Sequence, residues 1–542
     1  MNKLVKWLCS LLVLLTLVIP YKNVSASETM PKIAVDQEAL NQDLETPGVL
    51  RVGMEANYNP FNWSQPDDSN GAEPIANSKG EYANGYDVHV ARQLADALGL
   101  KLEIMKIEWD GLPPALQSGK IDAIIAGMSP TPDRLKQIDF SNYYYHSDII
   151  LVVKKDGPYT KATSLNDFRH ARVTGQLNTL HYDLINQIPE VDKRTAMDTF
   201  SSMVEAVKTD KIDAYVSERA GGEAAIAANP TLTSVQFQPG QGFDLKDTNP
   251  STAVGVRKGS PLLKAVNTYL ETFDQKAQDQ LMSDMIALNQ RDQKQGFWGQ
   301  VISIWNQYYK QFLRGAGNTM AIALVSTFLG FVIGLIIAIY RSLPIKREHN
   351  PLGYGIFKLF DVLLTAYIEV FRGTPMMVQS MLIFYGTKQF FNIDMPAFTA
   401  AFFIVSLNTG AYLAEIIRGG ISGVDDGQYE GAKAIGMSHF QTMRYVIIPQ
   451  VIKSTLPAIG NELVMNIKDT SVLNVIAVTE LFFASKSAAG STYLTFQTYF
   501  ITCVIYFILT FATTRILNVL EKRLQGSDNY QVASNQSSTE GA

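Results

Sequence analysis

The sequence predicts a two-lobed α/β domain followed by an all-α, five-helix transmembrane domain, and three observations carry that prediction. A mean hydropathy of +0.02 averages two unlike halves. Up to about residue 290 the chain is polar and charged at ordinary globular levels, whereas beyond about residue 315 long apolar stretches dominate. Within the first half, short β-type runs alternate with amphipathic helical stretches, the pattern of helices packed on a mainly parallel sheet. Within the second, five passages are long and apolar enough to cross a bilayer.

The elements follow in order. Lys3 and Lys6 precede an apolar run from Trp7 to Pro20, and Val24-Ser25-Ala26 supplies small residues at a cleavage position, so residues 1–26 read as a secretory signal peptide. A retained N-terminal anchor is the alternative, although the run is short for a span. Residues 27–47 form an N-terminal extension, and 48–289 the α/β domain. There Leu50-Arg51-Val52-Gly53 is a strand, Asp87 to Leu98 a helix, and Ile121 to Ala126 a buried strand. Ile149 to Val153 begins a second strand set, Ala171 to Thr174 continues it, and Thr252 to Val256 returns to the first; two lobes with crossing hinge segments follow. Residues 290–314 are a linker, polar over Asn289 to Trp298, which tethers the domain close to the membrane. Residues 315–523 form the membrane domain and 524–542 a cytoplasmic tail.

The five passages are about Asn318 to Tyr340, one within Tyr354 to Phe390, Pro396 to Ile417, Pro457 to Val478, and Tyr493 to Val519. Lys358, Asp361, Glu369 and Arg372 interrupt the second, whose first half also reads as an amphipathic interfacial helix. Arg341, Lys346 and Arg347 follow the first passage; Arg418, Lys433, Arg444 and Lys453 surround a polar loop; Lys522 and Arg523 follow the last. The positive-inside rule makes these segments cytoplasmic and leaves the α/β domain outside, as the secretory signal also demands. A net charge of −5 argues against a nucleic-acid binder, and two cysteines, Cys9 and Cys503, exclude a disulfide framework or a cysteine-rich metal site. The sequence implies no metal and no cofactor.

Chemistry-bearing residues cluster where Ile121 to Gly127 runs into a helix start at Met128-Ser129-Pro130-Thr131-Pro132-Asp133-Arg134. A helix N-terminus presents free N–H groups that suit a carboxylate, and Arg134 one turn on adds a planar clamp. This stretch, with Gly85-Tyr86-Asp87, Asp110-Gly111-Leu112, Gly119-Lys120-Ile121-Asp122 and Asp139-Phe140-Ser141, resembles the extracellular solute-binding proteins for polar amino acids over roughly Val49 to Ala287, a periplasmic-binding-protein-like fold. The resemblance implies that Arg134 holds a ligand α-carboxylate, helped by Ser129 or Thr131 and the backbone at Gly127. It implies that Glu218 takes the α-ammonium from the second lobe, and that Tyr58 and Trp109 sandwich the ligand side chain. Thr179 matches the family's Gly-Thr pair, but Asn178 replaces its glycine. Glu55 stands where relatives for glutamine or basic amino acids carry an acid facing the side chain, which favours a donor-rich ligand. Burying a zwitterion demands a partner for each charge. The plainer readings are a solvated Arg134, a Glu218 paired near Arg219, and core aromatics at Tyr58 and Trp109.

In the membrane half, intramembrane charges are costly and normally face a pathway or partner, which singles out Glu415, Glu462, Lys468 and Asp469; a structural Lys468–Asp469 pair or helix-end snorkelling is the alternative. Gln428 to Met437 reads as a polar helix broken by Gly436, followed by a second helix ending in Pro449. This elbow resembles the coupling loop of bacterial binding-protein-dependent ABC importer permeases, with Gly431 and Ile448 as mild departures. Phe371 to Pro375, Ala414 to Gly420 and Glu462 to Ser471 are similar to the polar amino acid uptake permeases. The resemblance implies that Glu430, Ala432 and Gly436 dock on an ATPase subunit. No Gly-x-x-x-x-Gly-Lys-Ser/Thr phosphate loop occurs, so the sequence implies a separate ATP-binding polypeptide rather than an enzyme in this chain. Five passages make half a pore, which implies a homodimer, with an unlike second permease chain as the alternative. A ligand-gated channel or sensor and an enzyme on the same lobed scaffold are the rival classes; the elbow argues against the first, and the second needs a separate acid–base pair and leaves the five passages unexplained.

Overall fold

The computed structural model describes residues 32–238, 240–245, 249–288, 296–343 and 351–525. The signal peptide, residues 27–31 of the extension, linker residues 290–295 and the tail beyond 525 lie outside the described residues.

The first lobe is built on a five-stranded sheet in the order Lys101–Lys106, Val49–Met54, Ala123–Ile124, Thr252–Val256, Asp139–Tyr145. Val49–Met54 pairs in parallel with Lys101–Lys106, setting Leu50 beside Leu102 and Val52 beside Ile104. Leu50, Val52, Ala123, Ile124 and Val254 are fully buried, as expected where helices cover both faces of a sheet. The helix Tyr86–Leu98 supplies one cover through Val90, Ala91 and Leu94, and ends on Gly99. Ile121 to Ala126 is buried throughout, but only Ala123–Ile124 joins the ladder.

The second lobe repeats the plan in the order Asp192–Lys193, Arg172–Thr174, Ala214–Glu218, Ile149–Lys154, Leu232–Val235. The chain crosses between lobes from Tyr145 to Ile149 and returns between Val235 and Thr252, where Gly255 pairs with Ile124. The two-lobed reading therefore holds, including the return of Thr252 to Val256 to the first strand set.

The membrane half is helical: Phe297–Arg341, Pro351–Gly373, Met376–Phe391, Ala397–Ser422, Ile448–Asp469, Leu481–Thr492 and Thr495–Gln525 are its long elements. Among the described residues three helices are long and apolar enough to span a membrane, and a fourth span results if the pair ending in Leu481–Thr492, bent by 57°, is taken as one. The second of the five expected passages is split at Thr374-Pro375, because proline cannot donate a helical hydrogen bond and biases its predecessor away from helix. Two further expectations need correction. The boundary at 314/315 is no break: from Phe297 the linker is already part of the 45-residue first helix. Its polar residues concealed a buried face of Ile304, Tyr308 and Phe312, which packs on Leu481, Ala488 and Ile501. Pro449 does not end a helix but lies in the first turn of Ile448–Asp469, after a π-turn at Met443–Ile447, a position where its missing N–H costs little.

The two halves are packed together. Asn59 donates through Nδ2 to the Gly490 carbonyl at 3.2 Å, Ser491 Oγ donates to the Ser64 carbonyl at 2.6 Å, and Tyr493 donates to the Asn59 carbonyl at 3.3 Å. Gly490 is required for this approach, since a Cβ there would lie 2.6 Å from that of Asn57. Lys120 pairs with Asp394 at 2.6 Å, Lys388 with Glu45, and from the second lobe the Ser201 carbonyl accepts from Thr495 at 3.1 Å. These contacts gather at one end of the helices. Arg341, Ser422, Ile448 and Gln525 mark the other ends of those same rods.

Candidate functional site

Helix Pro132–Gln137 starts on Thr131, whose Oγ1 accepts from the Arg134 N–H, so the side chain of Thr131 caps the helix that carries the arginine. Ser129 Oγ donates to the Pro250 carbonyl at 2.9 Å, which ties the loop to the second interlobe crossing. Arg134 then reaches across the cleft: Nη1 donates to the Ser129 carbonyl at 2.8 Å and Nη2 to the Asn178 carbonyl of the other lobe at 2.9 Å. Its guanidinium lies over the Trp109 ring, 5.0 Å from the centroid. Burial pushes its pKa down to about 10, leaving it fully charged at neutral pH.

Asn178 is where the lobes meet. Its carbonyl also accepts from Trp109 Nε1 at 3.3 Å, and its Nδ2 donates to Asp110 Oδ1 at 2.8 Å. With φ at 55° it occupies the left-handed region, which asparagine tolerates better than most residues. Asn178 therefore fits this left-handed turn and adds a side-chain latch across the lobes. Thr179 Oγ1 donates to the Gln176 carbonyl at 2.7 Å and so braces this turn.

Glu218 ends its strand and caps helix Arg219–Ala228, Oε1 accepting from the Gly221 N–H at 2.7 Å. Its other oxygen is buried 3.4 Å from Nε2 of His181 and makes no full hydrogen bond, while the Tyr58 hydroxyl lies close enough to the carboxylate to lower its pKa. Desolvation raises the Glu218 pKa to about 7 and depresses that of His181 to about 4, so the imidazole is neutral. Arg219 pairs instead with Asp148 at 2.8 Å. Tyr58 is sandwiched between Phe61, at 5.0 Å, and Phe200 of the second lobe, at 4.5 Å. The Gly127 N–H donates to the Tyr144 hydroxyl, which donates to Asp87, while Asn62 donates to the other Asp87 oxygen at 2.7 Å. Asp87 thus holds the cleft loop in place. Glu55 is buried, with its pKa raised to about 8 by desolvation and then by Glu108, against a smaller lowering by the nearby Lys486 and Gln176. Glu108 accepts from Nζ of Lys486, a residue of the membrane half, at 2.5 Å.

Arg134, Trp109 and Tyr58 of the first lobe thus meet Asn178 and Phe200 of the second, Glu55 lies near Gln176, and the side chains of Ser129, Thr131 and Thr179 are spent on local bonds. Asn178, Gln176, Phe200 and His181 were missed because their roles arise only when the second lobe folds over the first; the departure at Asn178 was the one signal available.

At the far end of the rods, helix Asp426–Ala434 starts on Asp425 and buries only Ala432, while Glu430 is exposed. Gly436 has φ at 81° with open space where a side chain would project, so the break is a backbone requirement. Ser438 and Gln441 form a capping box that starts the next helix. Ile435, Phe440 and Tyr445 are 76, 70 and 63% exposed, an apolar display without cover in this chain. Glu415 accepts from Arg341 at 3.0 Å and Arg418 at 2.7 Å, and Arg341 also pairs with Asp361, stitching three helices together near the elbow. Lys468 is exposed and Glu462 and Asp469 half-buried. A buried trio the sequence reading missed lies nearby: Asn466 donates to Thr327 at 2.8 Å and Thr409 at 2.9 Å.

Residues 50–284 match the family model of bacterial extracellular solute-binding proteins, family 3, and residues 351–526 that of the binding-protein-dependent transport system inner membrane component. The chain is 31% identical to an arginine transport system permease protein of Bacillus subtilis, over 40% of this chain and 93% of that protein. This chain belongs to the binding-protein-dependent amino acid ABC permeases. The permease is also 34% identical to a glutamine transport system permease protein of Escherichia coli, over 39% of this chain and 92% of that one. Among solved structures, an amino acid ABC transporter substrate-binding protein from Streptococcus pneumoniae bound to L-arginine is 25% identical, covers 47% of this chain and 98% of its own, and gives a TM-score of 0.39. An ancestral arginine-binding protein is 32% identical, over 44% and 98%, with a TM-score of 0.36. At such scores the structural likeness adds no weight. The permease thus carries its own solute-binding domain in one chain, as a subunit of an amino acid ABC importer.

Proposed function

We propose that the cleft takes up a polar amino acid, glutamine or a basic one, with Arg134 on the α-carboxylate, Glu218 on the α-ammonium and Glu55 with Gln176 on the side-chain donors. The observation that carries this reading is the buried carboxylate of Glu218, whose second oxygen makes no full hydrogen bond although Tyr58 and His181 lie beside it, on the lobe facing the fully charged guanidinium of Arg134. A buried carboxylate oxygen without a full hydrogen bond is costly, and an ammonium would complete it. Trp109 forms a wall beside Arg134, whereas Tyr58, both of whose faces are covered by Phe61 and Phe200, does not stack on the ligand, contrary to what the resemblance implies. Relatives that transport arginine and glutamine agree with a donor-rich side chain. An acid held near 8 must release a proton to meet a cation at pH 7. Arginine binding should therefore release more protons than glutamine binding, measured by calorimetry in buffers of different ionisation enthalpy. Equal proton release that Glu55→Gln leaves unchanged removes Glu55 from the site.

The elbow docks on a separate ATP-binding subunit through Glu430, Ala432, Gly436 and the exposed Ile435, Phe440 and Tyr445. Two copies of the chain complete the pathway in the cell membrane, with the solute-binding domain outside. The placement of elbow and receptor at opposite ends of the same helices, and the basic residues Arg341, Arg418 and Arg444 near the elbow, support that orientation. Glu462, Lys468 and Asp469 line the path through the membrane half.

A further inference from the structure

A cavity of about 520 Å³ lies between the second lobe and the membrane half, walled by Met197, Asp198 and Ser202 on one side and Asn474, Lys486 and Tyr499 on the other. It abuts the side-chain end of the cleft. Gln176, whose side chain is near enough to Glu55 to lower its pKa, bridges to Met197 and donates through Nε2 to the Asp198 carbonyl at 3.2 Å, so one residue separates Glu55 from the cavity wall. Lys486 forms part of that wall and donates to Glu108 at 2.5 Å, with both carboxylates of Glu55 and Glu108 within its electrostatic reach. Its side chain is 12% exposed, and the helix carrying it is pinned to the receptor by Asn59, Ser64 and Gly490. A permease residue has thus been brought onto Glu108, within electrostatic reach of Glu55.

We propose that Lys486 is a release residue: in the docked chain its ammonium competes with the cationic end of a bound basic amino acid for Glu55 and Glu108, weakening the hold on cationic ligands and freeing them into the cavity. Carboxyl groups favour a cation most when none is already among them; the Lys486 ammonium already pairs with Glu108, and Glu55 must give up a proton to meet a cation, so a second cation gains less there. A neutral side chain of the same shape feels no such competition. The inference rests on the reading of Glu55 as the side-chain subsite.

The test uses the full chain in nanodiscs, with equilibrium binding of arginine and of citrulline, its uncharged isostere. Lys486→Gln should tighten arginine binding by about tenfold, the worth of one pKa unit of charge interaction, and change citrulline binding less than twofold. Lys486→Arg, which keeps the charge, should behave as wild type and shows that docking and fold survive change at this position. Equal tightening or loosening of both ligands in Lys486→Gln, or no arginine binding in either protein, overturns the proposal. Glu55→Gln separates the two readings. If it removes the preference for arginine over citrulline while Lys486→Gln has no selective effect, the release role alone fails; if it leaves the preference intact, the Glu55 subsite fails and the release role with it.

Discussion

Arg134, Trp109 and Asp110 all end on Asn178 in the cleft, and the charged groups there are enclosed; in the elbow, Ile435, Phe440 and Tyr445 stand in the open around an exposed Glu430. On the proposed function, the difference reflects the size of what each region meets. A small zwitterion must be surrounded, so its site is built from two lobes that bond to each other across the cleft. A macromolecular partner brings half of the interface with it, so this chain shows only its own half, with apolar surface uncovered.

The largest effect tests the enclosed side of that contrast. Arg134→Ala should weaken amino acid binding at least a hundredfold, because breaking a buried charge pair costs about 3–5 kcal/mol. It should also loosen the lobes by deleting the bond to Asn178. Calorimetry on the full chain giving affinity within threefold of wild type would show that the guanidinium serves closure only.

On the open side, Gly436→Val forces a β-branched residue into the left-handed region, at a cost of about 1–2 kcal/mol or more. Amino acid affinity should be unchanged, while amino-acid-stimulated phosphate release from proteoliposomes containing the ATPase should be lost. Gly436→Asn, which tolerates the same φ, should retain most of it. Loss of affinity in Gly436→Val would mean that the two regions are not separable.

The third prediction concerns pH. Burial raises the Glu218 pKa from the ordinary 4.5 to about 7, so its neutral form suits the fold. The stability it contributes is complete below 4.5 and is lost as pH rises through 7. Binding runs the other way, because a ligand ammonium needs the carboxylate. Affinity should fall by up to about tenfold per unit below pH 7, and Glu218→Gln should flatten that part of the profile while lowering affinity throughout.

The smallest effect is Gly431→Ala. No atom lies within 4 Å of a Cβ built there. Gain of helix propensity should stabilise the elbow helix by up to about 1 kcal/mol and leave stimulated hydrolysis unchanged; a loss of stimulation would place the partner's surface directly against this position.

Much of this was legible beforehand because the physics was local. Val49–Met54 and Ile149–Lys154 announce themselves as buried runs, Thr131-Pro132 as a helix start, and Gly436 as a break. Arg134 stood out because it lies one turn into a helix that follows a strand, and Glu218 only through the family resemblance. What could not be read required two distant segments at once: the latch at Asn178, the Phe200 ring against Tyr58, the Lys486–Glu108 pair, and the hidden apolar face at Ile304 and Tyr308 that turns an apparent linker into helix. Pro449 misled for the opposite reason, since a proline that ends one helix and a proline that starts the next look alike in one dimension.

The tether has a last consequence. The residues between Leu288 and Phe297 reach no more than about 30 Å, so the receptor never samples more than a small volume around its own dock. Its effective concentration there is of millimolar order whatever the abundance of the protein. Docking can then be weak enough to break at every turnover, and uptake should saturate with solute alone, without the dependence on receptor supply that a freely diffusing binding protein imposes.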